Sequence, residues 1–447
     1  MHTLSPKYVL RKERKDVHVL YNRATLLKSV ISPKLYLLLS LFRNDVVSIS
    51  ELKDSCSKNG IDFSDFSLFI SNPKYSDVLI EVQEDYHPID ISVPQIDTPS
   101  SVQPSPARID FFITKHCNLA CKHCFEGSSP QFKNRYFSEI EIKQIIRQLE
   151  ATNIQTLKIT GGEPFSHPNI DTLLCLLKDC HFETIILTNA LLLTPERISL
   201  IKKGDFQLGI SLDGISPYTH DYIRGKGAFK RLDEILIKLK QSDITFCVTC
   251  TVNHRNYNEL PEIATKAIEY YGAKSLFLNR LRPMGRSTSN NELILSEEEN
   301  EQVQHLCKEL EQKYPNKILL GDDSIIECNN IGDVIECSAG NSLFAIDENF
   351  DVFPCIYGIG NPDFLIGNLI TDGITNIWQS SKWHRFRRGT KLEDLVECNN
   401  CIFNKKCSTK NCRLKPVYEG LSFYDAVSYC KKNLCSSEKQ VCSPIST

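Results

Sequence analysis

The sequence has no apolar run long enough to cross a bilayer. The longest, Leu35 to Phe42, has Ser40 inside it and falls far short of the roughly 20 residues that a spanning helix needs. Charge of one sign is also missing: 52 lysines and arginines stand against 55 aspartates and glutamates, leaving a net charge of −3. Neither nucleic acid nor an anionic membrane is demanded as a partner by that balance. A secretory signal is not legible either, since Met1 to Lys15 is too charged. The expectation is a cytoplasmic protein, with no membrane and no nucleic acid among its partners. Disulfides are rare in that compartment, so the 19 cysteines need another explanation.

Their distribution is uneven. Cys117, Cys121 and Cys124 stand at C-x3-C-x2-C spacing in the run Lys115-His-Cys-Asn-Leu-Ala-Cys-Lys-His-Cys-Phe125, and eight more lie between Cys328 and Cys430. Zinc ribbons use paired C-x2-C ligands, and no fourth ligand stands near the first group. Four thiolates complete an iron–sulfur cube, whereas three leave one iron open to a reacting molecule. A partial zinc site or chance clustering is the plainer alternative. The other cysteines, Cys247 and Cys250 among them, read mostly as buried small hydrophobes.

With 447 residues, two to four domains are expected. Residues 88–107, with Pro88, Pro94, Pro99, Pro104 and Pro106, read as an extended linker. Before it, residues 1–87 show strand-like runs at Tyr8–Arg11 and Val17–Tyr21, a helix at Pro33–Phe42, and a capping box at Ser48-Ile-Ser-Glu51. The order β–β–α–α suggests a small winged-helix-like module. Residues 108–315 alternate strand and helix, with strands at 109–114, 156–160, 184–189, 206–212, 245–252 and 275–281. Such alternation implies an α/β fold on a parallel sheet. The cysteine loop directly after strand one, and Gly161-Gly-Glu-Pro164 directly after strand two, favour a partial (β/α)6 TIM-type barrel, because barrel sites lie at strand C-termini. Residues 316–447 are rich in Cys, Asn and Lys, offer little apolar material for a core, and read as needing staples.

The cysteine motif followed by Gly161–Pro164 resembles the radical S-adenosylmethionine (radical SAM) superfamily. The resemblance implies that Cys117, Cys121 and Cys124 hold a [4Fe–4S] cluster. The open iron would bind S-adenosylmethionine, which one-electron reduction cleaves to a 5′-deoxyadenosyl radical. By the same resemblance Gly161, Gly162, Glu163 and Pro164 would hold the cofactor's amino group, and Phe125 would lie near its adenine. Ser211 and Asp213, in Gly209-Ile-Ser-Leu-Asp-Gly214, match a motif near the cofactor. Arg224 would pair with the methionine carboxylate through its guanidinium fork, and Asn189 is a weaker candidate. His123 stands where the family usually has an aromatic.

The C-terminal cysteines are similar to a SPASM domain, the extension that holds two auxiliary [4Fe–4S] clusters and would bring the total to three. That pattern assigns Cys328, Cys337, Cys355 and Cys412 to the first auxiliary cluster and Cys398, Cys401, Cys407 and Cys430 to the second, with Cys435 competing as the last ligand. Phe350 stands where the family usually has glycine. A zinc-ribbon tail is the alternative.

Residues 1–87 resemble the peptide-recognition modules of enzymes that modify ribosomally made peptides. The layout as a whole resembles maturases that form thioether (sactipeptide-type) or carbon–carbon crosslinks. The implied partners are a precursor peptide with a leader, and an external one-electron reductant of flavodoxin or ferredoxin type. Formylglycine formation on a protein Ser or Cys, and peptide epimerisation with Cys247 or Cys250 as hydrogen donor, are alternatives.

Overall fold

The computed structural model describes residues 1–5, 8–14, 17–22, 28–42, 46–83, 105–132, 135–152, 154–180, 182–321, 337–387, 394–400 and 412–426. Cys328, Cys401, Cys407, Cys430 and Cys435, and most of the expected linker, lie outside the described residues.

At the N-terminus, strands β1 (His2–Leu4), β2 (Tyr8–Arg14), β3 (Val17–Asn22) and β4 (Lys28–Ile31) are followed by helices α1 (Pro33–Leu41), α2 (Ile49–Lys58) and α3 (Phe63–Ser71) and by β5 (Leu79–Glu81). β2, β3 and β4 form an antiparallel sheet in that order, and β5 pairs with β1. This exceeds the expected β–β–α–α. β4 has only four residues, too few for an alternation to register, and α3 opens on an Asp62 cap rather than a capping box. Ser32 and Ser48 cap α1 and α2, the latter with the full capping box to Glu51. Tyr8, Leu10, Leu20, Leu38, Leu39, Phe42 and Phe66 form the module's own core.

The main body is a ten-stranded sheet. Its strands are β6 (Arg108–Phe112), β7 (Thr156–Thr160), β8 (Glu183–Thr188), β9 (Gln207–Ser211), β10 (Phe246–Val252), β11 (Leu276–Arg280), β12 (Ile318–Leu320), β13 (Leu343–Ile346), β14 (Asp351–Phe353) and β15 (Gly367–Asn368). The spatial order is β12-β11-β10-β9-β8-β7-β6-β13-β14-β15. All pairs from β12 to β13 are parallel, and β14 and β15 add antiparallel at the far edge. The six expected barrel strands are all present, each within two residues of its expected bounds. Helices α4 (Glu139–Ala151), α5 (Ile170–Leu177), α6 (Pro195–Lys203), α7 (Pro217–Arg224), α8 (Ala228–Gln241), α9 (Leu260–Thr265) and α10 (Glu297–Lys313) connect them. α4 shows why such helices dock: Ser138 and Glu141 close a capping box, and Ile142, Ile145, Ile146 and Leu149 fall on one face and are buried.

The C-terminal region departs from expectation. Trp378, Trp383 and Phe344 are fully buried with ring centroids 5.7–6.4 Å apart, and Phe364, Phe386 and Phe423 pack on one another. A few large aromatics supply the core that a residue count underrates, since each buries far more area than an aliphatic side chain.

Phe350 explains one departure from the family pattern. It stands in the turn between β13 and β14 with φ of 67°, the left-handed region that glycine enters freely. Its ring is buried against Phe111 and Phe137, with centroids 5.9 and 6.0 Å away. Burying that ring outweighs the ~1–2 kcal/mol cost of the conformation.

Candidate functional site

Because the barrel strands run parallel, their C-terminal ends deliver their loops to one rim. The cysteine loop after β6 is held there from several sides. Gly162 N–H donates to Thr114 O at 2.6 Å, and Glu163 N–H to His116 O at 2.9 Å. A Cβ on Gly161 would stand 2.3 Å from Thr114 O, and one on Gly162 would stand 2.1 Å from His116 O. The paired glycines therefore let the β7 loop lie directly against the backbone that leads into the thiols.

Arg286, in the loop after β11, clamps the other side. Its Nη1 donates to Cys121 O at 2.6 Å, and its Nη2 to Gly127 O and Ser128 O, both at 2.7 Å. Its backbone N–H reaches Cys124 O at 2.9 Å, and Asn290 Nδ2 donates to Lys122 O at 3.1 Å. Sequence reasoning missed Arg286 and Asn290. The available signal was weak: a Gly285-Arg286 step following the last barrel strand.

Glu163 is buried, and its carboxylate is occupied within the protein. It accepts from Thr188 Oγ1 at 2.6 Å, Asn189 N at 2.8 Å and Phe165 N at 3.1 Å. Burial nonetheless pushes its carboxyl upward, with those three donors opposing. Glu163 thus ties the β7 loop to the end of β8, and Pro164 opens the short 3-10 turn that follows it. Asn189 in turn donates from Nδ2 to Asn118 Oδ1 at 2.8 Å and reaches Cys117 Sγ at 3.8 Å.

Asp213, fully buried beyond β9, anchors a second network. Its Oδ2 lies 2.7 Å from His123 Nε2 and accepts from Arg224 Nε at 2.6 Å, while Oδ1 accepts from Thr251 N at 2.8 Å. Burial opposes its ionisation, but Arg224 and His123 outweigh that and hold the carboxyl far below the usual carboxylate range. Burial drives the neighbouring His220 down to about 4, so its neutral Nδ1 accepts from Asp213 N–H at 3.2 Å. Here His123 joins the cysteine loop to the β9 loop through a hydrogen bond to the Asp213 carboxylate, which a phenyl ring could not make. Arg224 keeps its terminal nitrogens beyond the Asp213 contact and lies within electrostatic reach of Cys121 and Cys117. Ser211 pairs in register with Thr249 on β10, and Phe125 sets its ring edge-on to Phe112 at 6.2 Å.

The thiol site suits an iron–sulfur cluster. Burial pushes the Cys117 thiol up to about 12 and the Cys121 thiol to about 11, so they ionise only against bound positive charge. Donors for thiolate sulfur are in place, with Leu119 N–H 3.4 Å from Cys117 Sγ and the Arg224 charge nearby. Of the two cysteines considered as hydrogen donors, Cys250 is fully buried in the core, close to Cys307, and accepts from Asn256. Cys247 accepts from Ser275 Oγ at 3.0 Å.

A second thiol set gathers beside β14. Cys337, Cys355 and Cys412 line one cavity together with Arg385, Phe386 and Arg413. Burial pushes the Cys355 thiol well up, and its neighbours Cys337 and Cys412 add to that. These are three of the four residues expected in one auxiliary set; the fourth, Cys328, lies outside the described residues. Of the other expected set only Cys398 is described, within electrostatic reach of Arg413. Among the described residues no three His, Cys, Asp or Glu side chains are grouped tightly enough to chelate a single ion.

Glu126, two residues past Cys124, and Tyr418, near the second thiol set, lie within electrostatic reach of each other. Burial raises the Glu126 carboxyl to about 7, with Lys115 opposing and Glu348 and Asp347 adding to the rise. Burial also raises the Tyr418 phenol, which lies within electrostatic reach of Glu126, Cys355 and Cys412. The Tyr357 ring stands 6.0 Å from Tyr418, under the Arg282 guanidinium at 4.4 Å.

Comparison with known proteins agrees with this arrangement. The Radical SAM superfamily profile matches residues 111–267, and the SPASM iron–sulfur cluster-binding domain profile matches residues 337–402. The mycofactocin maturase MftC of Mycolicibacterium smegmatis is 30% identical over 344 residues, 72% of this chain and 85% of that protein. The antilisterial bacteriocin subtilosin biosynthesis protein AlbA of Bacillus subtilis is 28% identical over 350 residues, 75% of this chain and 72% of that protein. Among solved structures, Streptococcus suis SuiB bound to its precursor peptide SuiA superposes with a TM-score of 0.74 at 16% identity, over 96% of this chain and 100% of that one.

Proposed function

The chain belongs to the radical SAM superfamily and carries a SPASM iron–sulfur cluster-binding domain, and on that premise we propose that it is a maturase of ribosomally made precursor peptides. The observation that carries this reading is the presence of two thiol sets, at the cysteine loop and beside β14. The names of MftC and AlbA and the SuiA peptide bound to SuiB support a peptide as the substrate class.

When bound, the first cluster and S-adenosylmethionine supply a carbon radical that takes a hydrogen atom from the substrate. The chain's own residues hold and orient. Cys117, Cys121 and Cys124 ligate the cluster. The backbone of Gly161 to Glu163 takes the cofactor's amino group, since the Glu163 carboxylate is already engaged. Arg224, fixed by Asp213, presents its terminal nitrogens to the methionine carboxylate. Phe125, Ser211 and Asn189 complete the walls.

The leader adds as a strand beside β4. Among the described residues that strand pairs only with β3 in its sheet, and Val30 on it is 72% exposed. Backbone hydrogen bonds there give affinity and alternate side chains give selectivity. The peptide core then reaches the space between the thiol sets and is oxidised to a thioether or carbon–carbon crosslink. Two auxiliary [4Fe–4S] clusters, for three in all, and an external one-electron reductant of flavodoxin or ferredoxin type complete the proposal. Epimerisation with Cys250 as donor is disfavoured by that residue's place deep in the core.

The test is anaerobic reduction of the iron-loaded protein with S-adenosylmethionine, followed by assay for 5′-deoxyadenosine. Wild type should release it and the Cys117→Ala, Cys121→Ala and Cys124→Ala variants should not. Full release by any of the three would refute the assignment.

A further inference from the structure

Arg413 follows Cys412 directly and lines the same cavity as Cys337, Cys355 and Cys412. It is 5% exposed. Its Nη1 donates to Phe423 O at 3.3 Å and Asp425 O at 3.2 Å. Its buried Nε–H has no acceptor among the described residues. The guanidinium lies within electrostatic reach of Cys398, Cys412 and Cys337, drawn from both expected auxiliary sets, and of the Asp425 carboxylate.

Burying a cation is costly unless opposite charge and acceptors meet it. Among the described residues two carbonyls and the Asp425 charge meet this one but leave its Nε–H without an acceptor, and an orphaned donor beside three thiols suits an anionic acceptor. A thiolate-ligated iron–sulfur cluster is one: it is anionic overall, its sulfurs accept hydrogen bonds, and it gains a further negative charge on reduction. Hydrogen bonds to the sulfurs and local charge are the means by which a protein tunes such a cluster.

We propose that Arg413 is a positioning residue that raises the reduction potential of the auxiliary cluster held by Cys337, Cys355 and Cys412. Its Nε–H donates to a cluster sulfur, and its fixed charge favours the reduced form over the oxidised one. The inference rests on the reading of those cysteines as cluster ligands.

The experiment compares wild type with Arg413→Gln and Arg413→Lys, each full-length and reconstituted with iron and sulfide. Iron is counted, and the auxiliary-cluster signal is followed by electron paramagnetic resonance through a redox titration. Arg413→Gln should keep its iron and lose at least tenfold in the equilibrium favouring the reduced cluster, about 59 mV for a one-electron couple. Arg413→Lys, which keeps the charge without the fork, should fall between. An unchanged potential in fully loaded Arg413→Gln overturns the inference. So does loss of the cluster from both variants, which would make Arg413 a strut for the Phe423 and Asp425 carbonyls. If only Arg413→Gln loses its cluster, the Lys variant decides: a lowered potential supports the inference and a wild-type potential overturns it. Wild type without auxiliary iron or signal would instead refute the ligand assignment itself.

Discussion

Arg286→Ala removes three side-chain hydrogen bonds from the cysteine loop, to the carbonyls of Cys121, Gly127 and Ser128. Bonds with a charged donor contribute roughly 1.5–3 kcal/mol each. They are not additive here, because two share Nη2 and the freed carbonyls can take up water. We take about 3 kcal/mol for the set. The backbone bond from Arg286 N to Cys124 O survives the substitution, so the loop is loosened rather than released. If the thiols must be held together before iron binds, that energy passes directly into cluster affinity, a loss of about 100-fold. The assay is timed extraction of iron by a chelator from reconstituted protein, with the cluster absorbance followed in parallel. Arg286→Ala should shed the iron of the Cys117, Cys121 and Cys124 site early while the SPASM iron leaves at the wild-type rate. Arg286→Lys should lie between, since an ammonium cannot span all three carbonyls. Equal extraction from wild type and Arg286→Ala would refute the clamp.

Gly162→Ala should fail to load the first cluster, because its Cβ would stand 2.1 Å from backbone His116 O, and iron analysis would show the deficit. At the left-handed turn, Phe350→Ala should be less stable than wild type by ~3–5 kcal/mol. Phe350→Gly should be about 1 kcal/mol more stable than Phe350→Ala by denaturant unfolding, because glycine relieves the φ of 67°; the reverse order would refute the strain argument. His167 is buried, stacked on Phe137 at 3.9 Å, and lowered by burial to about 4. A histidine whose folded value lies below its unfolded value of about 6.5 contributes stability above that pH and loses it as pH falls through the folded value. The slope is about 1.4 kcal/mol per pH unit between the two. His167→Gln should flatten the fall in melting temperature across that window, and an unchanged slope would refute the assignment.

The six barrel strands were legible because each is a short apolar run closed by a loop, and because the two marker motifs follow strands one and two. The long-range ties were not. Arg286 lies 165 residues from Cys121, and Asp213 lies 90 from His123; no local pattern joins such pairs. Glu163 was legible as a site residue, but its carboxylate serves Thr188 and Asn189, which only the paired ends of β7 and β8 reveal. At the C-terminus, counting apolar residues missed a core built on two tryptophans and several phenylalanines. Phe350 fills a position where glycine is expected, and the packing of its ring against Phe111 and Phe137 that accounts for it is a long-range contact no local pattern shows.

The central claim is oxidative modification of a ribosomal peptide. The most direct measurement is the intact mass of a short peptide encoded beside this protein, co-expressed with wild type and with Cys117→Ala. The peptide should lose two hydrogens per modification with wild type and none with the variant. An unmodified peptide in both ordinary and heavy water, from cells whose purified wild-type protein does release 5′-deoxyadenosine, would contradict the claim.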